Sequence, residues 1–247
     1  MPDSSRYRKV LLKISGESLT QAGALGIDPD SLDLLGHEII AAVQTGTQVA
    51  VVIGGGNIIR GATLSKVGLI PQASADYMGM LGTIINGIAL KETLDKLGQP
   101  ARLLSALNIT SVAEPFIRGR ALRHMEKGRV IVLGGGTGNP FCTTDTAAAL
   151  RATELNCDII LKATKVDGVY SSDPKTNPKA KRYERLTFDE AITAQLKVMD
   201  LTALSMCMEQ RLPIVVFDFK VRGNIRAVVE GRSIGTIISC GEEKQTV

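Results

Sequence analysis

Lys13, Arg60, Lys162 and Lys165 each stand at or just beyond the end of an apolar, β-branched run, where an α/β sheet gathers its ligands. Three such runs lead into glycine-rich turns. Run 9–14 is followed by Ser15-Gly16-Glu17-Ser18 and run 49–53 by Gly54-Gly55-Gly56-Asn57. Run 130–133 meets the longer stretch Gly134-Gly135-Gly136-Thr137-Gly138-Asn139-Pro140-Phe141-Cys142-Thr143-Thr144-Asp145. Glycines let backbone approach a ligand closely, and threonine hydroxyls donate hydrogen bonds. The Ala-rich segment after Asp145 starts a helix whose free N–H groups and dipole favour an anion. Cations beside three converging anion loops point to a site for several phosphates. Phosphoryl transfer asks a protein mainly for positioning and positive charge, which these residue types supply. No G-x-x-x-x-G-K-[ST] occurs and neither triple-glycine turn completes G-x-G-x-x-G, so the two common nucleotide signatures are absent.

The elements that must hold these loops alternate between strand and helix patterns. Asp28-Pro29 supplies an N-cap and a proline at the first helical position; Leu32, Leu35, Ile39 and Val43 then recur at helical spacing until Gly46. Residues 73–97 form a long helical pattern whose apolar positions are Met78, Leu81, Ile85, Ile88, Ala89 and Leu94. Gly79, Gly82 and Gly87 lie inside it, and an interior glycine costs about 1 kcal/mol against alanine, so close helix contacts or bends are expected. A strand at 101–104 and a helix through 121–125 precede the central loop, and a strand at 158–162 follows it. Val166-Asp167-Gly168-Val169 is a two-residue hairpin signal, and the polar segment up to about residue 185 is long enough to be functional. Helices near 188–194 and 200–210, a strand at 214–217, a short helix at 224–230 and a strand at 235–238 complete the chain. The pattern predicts an α/β fold, a mostly parallel sheet covered on both faces by helices.

A chain of 247 residues with 44% hydrophobic content can bury a core large enough for an enzyme. Its net charge of +4 is mild, it has no Trp, and aromatics make up 4%, which argues against nucleic-acid binding. Cys142, Cys157, Cys207 and Cys240 are scattered without a Cys-x-x-Cys pair, and His37 and His124 stand apart from them, so neither disulfides nor structural zinc are expected and the thiols read as buried. No run approaches the ~18 apolar residues of a membrane span, and no apolar signal core opens the chain. A cytoplasmic location is expected.

Five motifs in order resemble the bacterial uridylate (UMP) kinases of the amino-acid-kinase superfamily. They are Lys13-Ile14-Ser15-Gly16-Glu17, Gly54-Gly55-Gly56-Asn57 with Arg60, Asp76-Tyr77-Met78-Gly79-Met80, the loop 136–141 with Thr143-Thr144-Asp145, and Lys162-Ala163-Thr164-Lys165-Val166-Asp167-Gly168-Val169-Tyr170. The resemblance extends over the whole chain, including Lys197-Val198-Met199-Asp200. It implies a three-layer αβα sandwich in one domain of residues 1–247, with an acceptor half at about 1–156 and an ATP half at about 157–247. It also implies transfer of the ATP γ-phosphate to UMP, Mg²⁺ accompanying ATP, a homohexamer, activation by GTP and inhibition by UTP, with no metal ligand assigned on the protein.

Carried over by position, the resemblance assigns catalysis to Lys13, Asp145 and Lys162. ATP contacts fall to Lys13, Ile14, Ser15, Gly16, Gly56, Arg60, Thr164, Tyr170 and Asp173. UMP contacts fall to Gly55, Asp76 and the loop Thr137, Gly138, Asn139, Pro140, Phe141, Cys142, Thr143 and Thr144. Gln21, Ala22, Gly23, Ala24, Leu25 and Gly26 occupy the place of the family's GTP-linked segment, with little charge or aromatic character. Plainer readings stand beside these: Asp145 as a helix N-cap, Arg60 as a surface residue, Asp76 as a charge favouring its own helix N-terminus, and Tyr170 as a hairpin aromatic. At the level of function, the rivals are a kinase of carboxylate or carbamate substrates and a non-catalytic nucleotide sensor.

Overall fold

The computed structural model describes residues 7–21, 24–59, 65, 68–174, 176–196 and 198–241. Among them, nine strands form one sheet: β1 (Lys9–Ile14), β2 (Gln48–Ile53), β3 (Ala101–Ser105), β4 (Glu114–Pro115), β5 (Val130–Gly134), β6 (Ile159–Thr164), β7 (Arg185–Thr187), β8 (Ile214–Asp218) and β9 (Thr236–Ser239). The order is β4-β3-β5-β2-β1-β6-β8-β9-β7, with every neighbouring pair parallel except β8 with β9. The central strands are apolar on both faces because both faces are covered.

The α-helices among the described residues are α1 (Pro29–Val43), α2 (Gln72–Lys96), α3 (Arg118–Glu126), α4 (Thr144–Glu154), α5 (Phe188–Thr193), α6 (Leu201–Glu209) and α7 (Asn224–Val229). One core layer joins Val10, Leu12 and Ile14 of β1 to Leu35 and Ile39 of α1, Leu90 and Leu94 of α2 and Val228 of α7. The other joins Leu11, Val52, Ile131 and Ile160 to Met125 of α3, Ala148 of α4, Phe188 of α5 and Leu204 of α6. This is an αβα sandwich, and each fully buried Leu, Ile or Phe contributes about 1.5–3 kcal/mol. Side chains alternate along a strand, so Lys13 shares the face of Leu11 and Lys162 the face of Ile160. Both lysines therefore look toward α4.

Several expectations change. In α2, Leu81 and Ile85 face outward, whereas Met80, Gly82, Thr83, Ile84, Gly87, Leu90 and Leu94 are buried. The small residues turn inward because the helix lies very close to its neighbours: a Cβ on Gly87 would stand 2.6 Å from Leu103 Cδ1, and one on Gly82 3.2 Å from Gly55 O. No two-residue hairpin forms at 166–169. Instead the chain makes an excursion to residue 182, closed by the isolated antiparallel bridge of Tyr170 with Arg182. After β6, Thr164 ends the strand by accepting Val166 N–H at its hydroxyl (3.2 Å). The cysteines divide, with Cys157 and Cys207 buried and Cys142 and Cys240 exposed. Burial pushes both buried thiols up to about 12.

Candidate active site

β1 and β6 pair in parallel with Lys13 directly opposite Lys162. Above them, the Thr143 hydroxyl caps α4 by accepting from the N–H groups of Asp145 (3.0 Å) and Thr146 (3.3 Å). Asp145 is thus in the first helical turn rather than at the cap, and its carboxylate reaches back over the strand ends. Lys13 Nζ lies 2.6 Å from Asp145 Oδ1, close enough for an ion pair although off the hydrogen-bonding direction, while Lys162 Nζ donates to Oδ2 at 2.8 Å. The three side chains are only 11–14% exposed. Burial works against the Asp145 charge, but the two ammonium groups outweigh it and hold the carboxyl below the usual carboxylate range. Burial pushes Lys162 below the ordinary lysine range despite the opposing pull of Asp145, and the Lys13 charge adds to that push. Two cations thus share one anion, leaving a net positive charge for a phosphoryl group.

Two cavities flank this triad. One of about 150 Å³ is lined by Gly55, Gly56, Asp76, Thr83, Thr137 and Thr144, among others. The other, of about 430 Å³, is lined by Lys162, Thr164, Tyr170, Asp173, Leu196 and Val198, among others. Asp145 follows Thr144 of the first cavity in the chain and grips Lys162 of the second, so the triad bridges the two.

The loop after β5 is shaped by backbone that glycine alone adopts readily, with φ of 78° at Gly135, 58° at Gly136 and 83° at Gly138. Gly135 N–H donates to the buried Thr83 hydroxyl at 2.8 Å, and Phe141 N–H to Asp76 Oδ2 at 2.8 Å. Asp76 thereby fastens the loop, while its Oδ1 accepts from the side chain of Gln72, the first residue of its own helix, at 2.7 Å. The turns after β1 and β2 press together backbone on backbone: Gly54 N–H donates to Ile14 O at 2.9 Å, and a Cβ on Gly16 would meet Gly54 O at 2.6 Å.

A match to the amino acid kinase family spans residues 8–218. The chain belongs to the amino acid kinase family. Among solved structures, the UMP kinase from Bacillus anthracis is 38% identical with a TM-score of 0.93, over 96% of this chain and 98% of that one. The UMP kinase from Ureaplasma parvum is 38% identical with a TM-score of 0.88, over 95% and 99%. The uridylate kinase from Archaeoglobus fulgidus is 28% identical with a TM-score of 0.73, over 93% and 99%.

Not every residue expected of an amino acid kinase site takes the same part. Gly55, Asp76, Thr137, Cys142, Thr143 and Thr144 line the smaller cavity, whereas Gly138, Asn139, Pro140 and Phe141 form the loop's outer turn, with Phe141 78% exposed. Ile14 is fully buried and offers the site only its backbone. Thr164, Tyr170 and Asp173 line the larger cavity, and the Tyr170 hydroxyl donates to Asp167 at 2.7 Å. Arg60, Ala22 and Gly23 lie outside the described residues. Thr83 and Met80 were missed, although they follow Asp76 at i+7 and i+4, a helical spacing that marks one face. Asp200 was missed as well. Its Oδ1 caps α6 by accepting Ala203 N–H (2.8 Å), and its Oδ2 accepts from the hydroxyls of Thr143 and Thr146. Lys162 Nζ also donates to Val198 O. Nothing in one-dimensional spacing marks a contact across more than fifty residues.

Proposed function

We propose that this amino acid kinase transfers the γ-phosphate of ATP to UMP, giving UDP and ADP for pyrimidine nucleotide biosynthesis. The observation that carries the reading is the Lys13–Asp145–Lys162 triad at the junction of two cavities. It stands in a chain 38% identical, over 96% of its length, to a protein named as a UMP kinase. In the reaction a UMP phosphate oxygen attacks the γ-phosphorus, the bond to the β–γ bridging oxygen breaks, and ADP leaves. Lys13 and Lys162 hold the negative charge of the transferring group, and Asp145 keeps the two ammonium groups together.

UMP occupies the smaller cavity, its binding shared by Gly55, Asp76 and residues 137–144. ATP occupies the larger one, with Thr164, Tyr170 and Asp173 on its adenosine side and Ser15, Gly16, Gly56 and Arg60 at its phosphates. Residues up to about 156 form the acceptor half and those from about 157 the ATP half. Among the described residues no cluster of three His, Cys, Asp or Glu side chains awaits a metal ion, and Asp145 is already paired. Mg²⁺ would accompany the ATP phosphates, where it offsets their charge. GTP activation through residues 21–26, UTP inhibition and a homohexamer complete the proposal. A cytoplasmic setting suits the four free thiols.

Initial rates with Mg·ATP and each nucleoside monophosphate test the assignment. A pocket that hydrogen-bonds one base edge leaves polar groups unpaired with another, so UMP turnover should exceed that of CMP, AMP and GMP by about a hundredfold or more. Equal turnover of UMP and CMP would overturn it.

A further inference from the structure

Beside the phosphate loops, two amides are almost completely buried: Asn57 is 1% exposed and Asn86 is 0% exposed. Asn57 Nδ2 donates to Gly26 O at 2.8 Å and to Asn86 Oδ1 at 3.1 Å. Asn86 Nδ2 donates to Gly54 O at 2.7 Å and to Asn57 Oδ1 at 2.6 Å. All four side-chain N–H groups and both side-chain oxygens are therefore used. Gly26 O and Gly54 O can only accept, so neither amide can be turned over without setting oxygen against oxygen.

The pair ties together four parts of the chain. Asn86 stands on α2, Asn57 ends the glycine turn after β2, and Gly26 belongs to the segment before α1, where its N–H also donates to Asn57 O at 2.8 Å. The turn after β1 is pressed onto the same group, for a Cβ on Gly16 would stand 2.5 Å from Asn57 Oδ1. Neither amide lines either cavity of the site, so the pair acts through the backbone it holds rather than by touching a ligand. Apolar side chains could fill this space, but they would let the turns slide. Reciprocal amide hydrogen bonds fix both distance and rotation.

We propose that the buried Asn57–Asn86 amide pair is a positioning element for phosphoryl transfer. It locks Ser15-Gly16 and the 54–56 turn, whose Gly55 and Gly56 line the smaller cavity, into one cradle around the reacting phosphates, and through Gly26 it makes residues 24–28 part of that cradle. The inference rests on the kinase reading above. It also supplies a physical route by which anything bound at the segment 24–28 would reach the reacting phosphates without crossing either cavity.

Two variants of the full chain test it. Asn86→Asp keeps the size but turns both donors into acceptors, and Asn86→Ser removes the amide without burying a charge. For each, calorimetry gives the Kd of ATP and of adenosine, and steady-state rates give kcat. Adenosine reaches only the larger cavity, so it reports on the fold there and not on the phosphate cradle. The expected result is an ATP Kd weakened about tenfold or more with the adenosine Kd within about twofold. Alongside it, kcat should fall by about a hundredfold, the scale of a misplacement near 1 Å. Parallel weakening of ATP and adenosine, or an ATP Kd and kcat both within about twofold of the parent, would overturn the proposal. So would loss of a cooperative thermal transition in both variants, since the pair would then be a folding element alone. A parent protein that binds both ligands yet makes no UDP would sink the kinase reading instead, and the split between ATP and adenosine would still decide the role of the pair.

Discussion

Lys13 and Lys162 sit opposite each other on paired strands, yet they need not do the same work. Lys13 ends the strand that runs into Ser15-Gly16, and removing its side chain leaves Asp145 paired with Lys162 at 2.8 Å. Lys13→Ala should therefore fold and bind UMP almost normally while kcat falls by about a thousandfold, equivalent to about 4 kcal/mol of transition-state stabilisation. Single-turnover rates beside UMP calorimetry measure both, and near-parental kcat would remove Lys13 from the chemistry. Lys162 carries a pH signature. Burial lowers its pKa, so its charge is lost as the pH rises through a value below the ordinary lysine range. The pH–rate profile should accordingly show an alkaline decline earlier than a free lysine would give. Lys162→Arg, whatever its absolute rate, should move that limb to higher pH, because guanidinium stays protonated. An unmoved limb would assign it to another group.

At the scale of elements, the glycines of the turn after β2 serve different purposes. A Cβ on Gly55 would stand 2.6 Å from Gly79 O and 2.9 Å from Thr83 N, backbone atoms of α2 that no side-chain rotation can move. Gly56 has open space within 4 Å of the same position. Gly55→Ala is thus expected to lower the melting temperature by several degrees, the shift that a strain of about 1–3 kcal/mol produces. Gly56→Ala should leave it within about one degree and raise the KM for ATP, and that for UMP as well, because Gly56 lines the smaller cavity. Thermal unfolding and substrate titration of both variants separate the two roles. Equal melting temperatures, or an unchanged KM in Gly56→Ala, would contradict this division between a packing glycine and a phosphate glycine.

On the whole molecule, Tyr77, Leu81 and Ile85 recur every four residues of α2 and are 44–47% exposed, forming an apolar stripe on the outside of the sandwich. Such a stripe is costly to leave in water and suits contact between copies of the chain. Light scattering should return the mass of six subunits, and Ile85→Glu should shift it to a smaller species. A monomer at micromolar concentration with full activity would overturn the hexamer. The same helix turns Asp76, Met80 and Thr83 toward the smaller cavity, so disruption of the stripe is expected to reach UMP binding too.

The strands of the sheet interior were legible in the chain because a parallel strand covered on both faces is apolar along most of its length, as at 10–12 of β1, 49–53 of β2, 130–133 of β5 and 159–161 of β6. The glycine turns were legible because left-handed and tightly approaching backbone needs glycine, as at 135–138. Lys13 and Lys162 stood out as charges at the ends of those apolar runs. What only the tertiary structure decided lies between segments. It set Lys13 against Lys162 by strand register, and it put Asp145 beneath a cap made by Thr143 instead of making it the cap. It turned small residues of α2 inward and Leu81 and Ile85 outward. It also brought Asp200 to two threonines more than fifty residues away, and closed the Asn57–Asn86 pair. Periodicity reports which face of an element is apolar; the partner that face meets depends on the order in which strands join, and adjacent positions in the chain carry almost no trace of it.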